Sequence, residues 1–342
     1  MAHLSPVTNT VAATGESPFR ARDPEFLAVL GDSPRLELVV STDAHEGAVY
    51  AADEDALYFT TLPRTDGVPA PGYPRVAINR VGLDGGRFPV ASDRVSVVRP
   101  SANVANGMTL DTDGRLVVCE QGTRSQHAAI TVVDRASGET EVVVDEWAGL
   151  RLNSPNDVVA RGDGTLWFTD PSYGHLQGFK PEPEIGDYVY RYDPQSDRLS
   201  VVADSFDKPN GLAFSPDETT LYVTDSGANQ APGTYHVERP HHILAYDVVE
   251  GRRLAGERLF AVTTPGFPDG IKVDADGRVY ASAFSGVQVF NPTGDLIGEI
   301  RLPGAVNFTF GGLDRRVLFI TTDDAIWAAS LNAAGPPTVK GA

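Results

Sequence analysis

Apolar residues in this chain recur in short alternating runs, and no long stripe of helical period interrupts them. The stretch 152–174, LNSPNDVVARGDGTLWFTDPSYG, shows the unit. A polar pair, Asn156-Asp157, precedes a short apolar segment, a turn at Asp163-Gly164 and the run Leu-Trp-Phe-Thr at 166–169. Glycine suits a turn position with positive φ, and β-branched and aromatic residues fit a pleated strand. The stretch therefore predicts a hairpin whose first strand starts with an amide side chain. Self-similarity places the same pattern at six positions: 46–60, 106–119, 156–169, 210–224, 269–282 and 307–321. Leu57, Leu116, Leu166, Leu221, Val279 and Leu318 mark the second strands, and successive anchors stand 38 to 60 residues apart. Several strands per repeat, at a period of roughly 40–50 residues, are what propeller blades require. The pattern predicts an all-β fold, a six-bladed β-propeller with a central channel.

The segments between these hairpins supply the rest of each blade. Apolar runs at 130–133, 140–144, 188–192, 199–202, 242–247 and 286–290 read as strands, each beside a turn signal such as Ala136-Ser137-Gly138 or Asp193-Pro194. Residues 24–30 read as a short helix before Gly31. The run 36–41, LELVVS, lies before the first repeat and is placed to close the last blade beside 326–331, so an N-terminal strand completes the ring. Residues 1–18 are expected to form a flexible arm, 19–335 one propeller domain and 336–342 a tail. Polar insertions at 63–73, 174–186 and 227–240 are expected as loops over one face. A β-sandwich with coincidental hairpin similarity is the alternative.

Composition narrows the function classes. No window of about 18 apolar residues exists, so a spanning helix is not expected. The first residues lack the basic start and apolar run of a signal peptide. A lone cysteine, Cys119, cannot form an internal disulfide, which fits a reducing, cytoplasmic setting. A net charge of −18 disfavours nucleic acid and anionic membranes as partners and favours a cation at a carboxylate-lined site. The expected state is a monomer or a dimer.

In a propeller the innermost strands line the channel, so equivalent positions form a ring. The anchors are Glu46, Asn106, Asn156, Asn210, Asp269 and Asn307, a set that offers only carboxylate and amide groups. Hard cations such as Ca2+ take carboxylates, amide carbonyls and water at roughly 2.3–2.6 Å. No Cys/His cluster accompanies the ring, which disfavours a thiolate or imidazole zinc site. The competing reading is that Asn and Asp at strand starts merely satisfy turns.

The motifs LNSPNDVV with LWFTDPSYG, KPNGLAFSPDETTLYVTD, FPDGIKVDADGRVY and NGMTLDTDGRLVVCEQG resemble the gluconolactonase–regucalcin (senescence marker protein) family of six-bladed propellers, above all its bacterial gluconolactonase-like branch. The likeness spans residues 46–322. It implies a divalent cation, usually Ca2+, held by Glu46 of HEG, Asn156 of PND, Asn210 of PNG and Asp269 of PDG; Mg2+, Mn2+ or Zn2+ are further options. It also implies hydrolysis of a lactone or other ester, the cation polarising the carbonyl while a water attacks. Asp269 is then the general base as well as a ligand, and Glu46 a ligand only. Asn106, with Arg124 and His127 on the following loop, is expected to meet the substrate. One departure stands out. Where regucalcin-type members carry an arginine that contacts sugar hydroxyls, this chain has Ser154. Two other readings remain: action on other esters or phosphotriesters, or a non-catalytic propeller with structural calcium.

Several other residues invite chemistry and receive plainer readings. His241-His242 would point to opposite faces of a strand. Ser172 lacks the G-x-S-x-G elbow of a serine hydrolase. Asp170 and Asp225 read as hairpin caps. Asp111–Gly114 and Asp274–Gly277 lack the downstream glutamate of a calcium loop and read as turns.

Overall fold

The computed structural model describes residues 17–65 and 74–337. The expected arm 1–18 lies outside them except for its last two residues, as do residues 66–73 of the first insertion and 338–342 of the tail.

Six antiparallel sheets stand side by side as the blades of a propeller. Blade 3 shows how sequence becomes structure. Its strands are Val158–Ala160, Leu166–Asp170, Tyr188–Asp193 and Arg198–Ala203, and Val158 pairs with Phe168 as Ala160 pairs with Leu166. The turn between the first two is fixed by Asp163, whose Oδ1 accepts from the Thr165 N–H at 3.0 Å, and by Gly164 at φ 86°. Asp111 and Asp274 behave alike: each Oδ1 accepts two main-chain N–H groups of its own turn, so turn chemistry holds there.

The core lies between blades. Trp167 is fully buried, donates its indole N–H to Thr165 Oγ1 at 3.0 Å, and meets Phe214 of blade 4 edge-on at 5.5 Å. Burial of such side chains contributes roughly 1.5–3 kcal/mol each.

Blade 6 closes the ring as expected. Phe308–Gly311, Val317–Thr321 and Asp323–Ser330 come from the C-terminal end, and Arg35–Ala44 supplies the outermost strand, with Leu36 opposite Ala329 and Leu38 opposite Trp327. Pairing the two ends of the chain leaves no ladder open within the blade. Blade 5 holds a surprise: Phe19–Ala21 adds a fifth strand, antiparallel to Leu296–Arg301. The helix Glu25–Leu30 follows it and buries Phe26 against Gly298, where any Cβ would fall 2.3 Å from the ring.

Candidate active site at the channel mouth

The anchors sit where the repeats put them. Glu46 opens its strand, Asn106 and Asn210 are second in theirs, and Asn156, Asp269 and Asn307 stand one or two residues ahead. All but Asp269 are buried, and Asp269 is half-buried.

Two devices bring the anchors together. The residue after an anchor is often glycine, because the next blade's backbone passes too close for a side chain. A Cβ on Gly107 would lie 2.5 Å from the Asn156 carbonyl oxygen, and one on Gly211 2.4 Å from that of Asp269. The second device is a threonine hydroxyl latch at the end of four of the six second strands. Thr60 Oγ1 donates to the Asn106 carbonyl at 3.2 Å, Thr169 to that of Asn210 at 2.6 Å and Thr224 to that of Asp269 at 3.1 Å. Thr321 completes the circle by donating to the His45 carbonyl at 2.7 Å. Each latch ties one blade to the anchor of its neighbour or, at Thr321, to the residue before it.

Asp170 and Asp225, expected as hairpin caps, hold the loops that deliver the next anchors. Asp170 accepts the Asn153 and Ser154 N–H groups at 2.8 and 2.7 Å, just ahead of Asn156. Asp225 accepts those of Asp207 and Lys208, both at 2.9 Å, just ahead of Asn210.

Around the mouth, Glu46, Asn156, Asn210 and Asp269 come from blades 1, 3, 4 and 5. Burial raises the carboxyl pKa of Glu46, and the charge of Asp269 raises it further. Burial likewise raises Asp269; the adjoining Asn210 amide and Glu46 pull against the rise, while Asp157 adds to it. Asn307 Nδ2 donates to Glu46 Oε2 at 2.5 Å and fixes that carboxylate. Among the described residues, Asn106 Oδ1 and Asp157 Oδ2 are buried without partners, while the Asn210 amide is hydrogen-bonded to Asp269 and Tyr173. Unpaired oxygens and crowded carboxylates in a buried cup are costly unless a cation joins them. The donor set thus fits a hard divalent ion. Among the described residues, no three or more His, Cys, Asp or Glu side chains gather to hold a metal, so any ion here depends on the asparagines.

Three neighbours were not legible as site residues. Asn307 was an anchor without an assigned role. His45, beside Glu46, bonds through Nδ1 to Asp323 Oδ1 at 2.6 Å; the HEG motif flags the histidine, but its partner lies 278 residues away. Burial pushes the Tyr173 hydroxyl pKa well up, and the Asp269 charge adds to it, which places this tyrosine beside the cup. Arg124 and His127 lie elsewhere. They line a neighbouring cavity together with Ser154, and none of the four cup residues lines it. Ser172 donates to Asp187 Oδ2 at 3.1 Å, and His241 Nδ1 contacts the Arg239 carbonyl at 2.8 Å, so neither is poised as a nucleophile or ligand.

Comparison with known proteins places this geometry in context. A family model described as the SMP-30/gluconolactonase/LRE-like region matches residues 44–324. The lactonohydrolase oryL of Aspergillus oryzae is 29% identical, over 88% of this chain and 69% of that protein. The gluconolactonase of Zymomonas mobilis is 36% identical over 57% of this chain and 54% of its own length. Among solved structures, a gluconolactonase from Xanthomonas campestris superposes with a TM-score of 0.75 at 34% identity, covering 93% of this chain and 96% of that one. A calcium-binding regucalcin from Agrobacterium tumefaciens, 16% identical with a TM-score of 0.65 over 89% of this chain and 95% of that one, shares the fold.

Proposed function

The chain belongs to the SMP-30/gluconolactonase/LRE-like family, and from that premise we propose that it is a hydrolase that opens lactones at a divalent cation, Ca2+ in the first instance. The observation that carries this reading is the convergence of Glu46, Asn156, Asn210 and Asp269 from different blades on one channel mouth. The names of relatives that cover most of this chain support the reaction class. Glu46, Asn156, Asn210 and Asp269 would hold the ion through oxygen. When bound, it supplies Lewis acidity toward the lactone carbonyl and charge for the oxyanion of the tetrahedral intermediate.

The chain's own groups then do the following. Asn307 keeps Glu46 turned into the cup. Asn106 offers its unpaired Oδ1 to a substrate hydroxyl. Asp269 takes a proton from the attacking water as the water oxygen bonds to the carbonyl carbon. Collapse breaks the ring C–O bond, and the same carboxyl returns its proton to the leaving oxygen. The buried, unpaired Cys119 supports placing the enzyme in a reducing compartment such as the cytoplasm.

A panel of sugar lactones, simple lactones and aryl esters, assayed after chelation and with Ca2+, Mg2+, Mn2+ or Zn2+ restored, tests the reading. Lactone hydrolysis lost on chelation and restored by one of these ions is expected. Undiminished hydrolysis in chelated protein would remove the cation, and an aryl-ester preference would remove the lactone.

A further inference from the structure

The cavity that holds Arg124 and His127 lies against the cup. Ser154 lines it two residues before Asn156, and Ser172 lines it one residue before Tyr173. Its volume, about 190 Å³, is below the roughly 300–1,000 Å³ of pockets that take a whole small molecule. It has room for a substituent.

Its chemistry is cationic in a chain whose net charge is −18. Lys180, 8% exposed, donates through Nζ to the Leu152 carbonyl at 3.0 Å and to that of Asn153, which leaves a third N–H to give. Arg124 is anchored at 3.2 Å on the Gly178 carbonyl, and both it and Arg151 are exposed. His127 and His175 complete the basic lining. Glu182 and Glu184 stand on the same wall, both exposed, and Glu184 accepts the Arg151 main-chain N–H at 3.2 Å. Two exposed arginines and a buried lysine therefore line a space one substituent wide.

We propose that this cavity binds an anionic substituent, a carboxylate or phosphate, carried by the lactone whose carbonyl meets the cup; the proposal rests on the lactone reading above. The placement also answers an electrostatic problem. The cup's carboxylates repel an anionic substrate, and a cationic pocket beside them sets such a substrate in one orientation, ring toward the cup and anion toward Arg151.

The test compares a neutral lactone, glucono-1,5-lactone, with glucaro-1,4-lactone and 6-phosphoglucono-1,5-lactone, in wild type, Arg151→Gln and Arg124→Gln. Both substitutions are at exposed positions and leave the core untouched. Wild type is expected to favour the anionic lactones, and the anionic-to-neutral ratio of kcat/KM to fall by about 10- to 100-fold in Arg151→Gln, mainly through KM. Inorganic phosphate titrated calorimetrically without lactone is expected to bind wild type and to lose that binding in Arg151→Gln. A ratio unchanged in both variants, with no phosphate binding, overturns the proposal. Phosphate that alters neutral-lactone turnover while anionic lactones gain nothing assigns the pocket to a free anion and overturns it too. Phosphate binding retained with no lactone hydrolysed counts against the lactone reading, whereas neutral-lactone turnover without phosphate binding counts against the pocket alone.

Discussion

The outer wall of blade 6 and the cup at the channel mouth are both built from distant parts of the chain, yet they spend their interactions differently. In the wall, Arg35–Ala44 and Asp323–Ser330 satisfy each other's main chain along a ladder, and Val39, Ile326 and Ala328 pack beneath it without exposure. In the cup, carboxylates are crowded and buried oxygens are left without partners. A well-paired ladder stabilises the fold; an under-satisfied cluster stores a cost that a ligand relieves. The difference separates the part that holds the molecule together from the part that the proposed reaction would use.

Removing the wall should have the largest effect. Deletion of residues 1–41 takes away most of the closing strand and opens the edge beside Asp323–Ser330. Loss of a cooperative melt, with aggregation by gel filtration, is expected; a soluble, cooperatively melting protein would show that the ring closes otherwise. Changing the cup should spare the fold and strike activity. Asp269→Asn keeps the shape but loses the carboxylate proposed as the base, so turnover at saturating Ca2+ should remain about 10²–10⁴-fold low. Full rescue by excess Ca2+ would leave Asp269 only a holding role. A smaller loss is expected one step out. Asn307→Leu frees the Glu46 carboxylate and should weaken Ca2+ affinity about 10- to 100-fold with the melting temperature near wild type, measured by calorimetric titration. The smallest effect concerns the response of blade 4 to acid. Burial lowers the pKa of His242, in the third strand of blade 4. The unfolded chain then takes up the proton first, so this stability is complete above pH 6.5, the ordinary value, and drains as pH falls toward the folded value. His242→Gln should flatten the acidic limb of an unfolding free-energy profile against pH by about 1 kcal/mol or less; an unchanged limb would place its origin elsewhere.

The wall and most of the cup were legible in the sequence for one reason: repetition. Six hairpins in register turn a single ambiguous Asn or Asp into a ring. LELVVS was readable as the closing strand because a circular fold needs one there. Phe19–Ala21 was not, since three residues carry no periodicity and its place is set by Ile300 and Gly298 of blade 5. The latch threonines ended four of the six repeats in plain view, but their acceptors belong to the next blade. His45 and Asp323 are far apart in the chain, and only closure of the ring joins them. Arg124 and His127 were placed on a top loop beside the substrate without any means of seeing that loops 123–128 and 172–184 enclose a cavity of their own. Local pattern fixes strands and anchors; contacts between blades require the closed ring.

The most direct test of the cup is a calorimetric Ca2+ titration of chelator-treated wild type beside Asn210→Ala. Asn210 contributes its side chain to the mouth and its carbonyl to the Thr169 latch, and alanine removes only the former. One Ca2+ per chain in wild type, with affinity at least about 10-fold weaker in the variant and an unchanged melt of the metal-free protein, is the predicted result. Equal titrations in the two proteins, or no Ca2+ bound by wild type, would contradict the account.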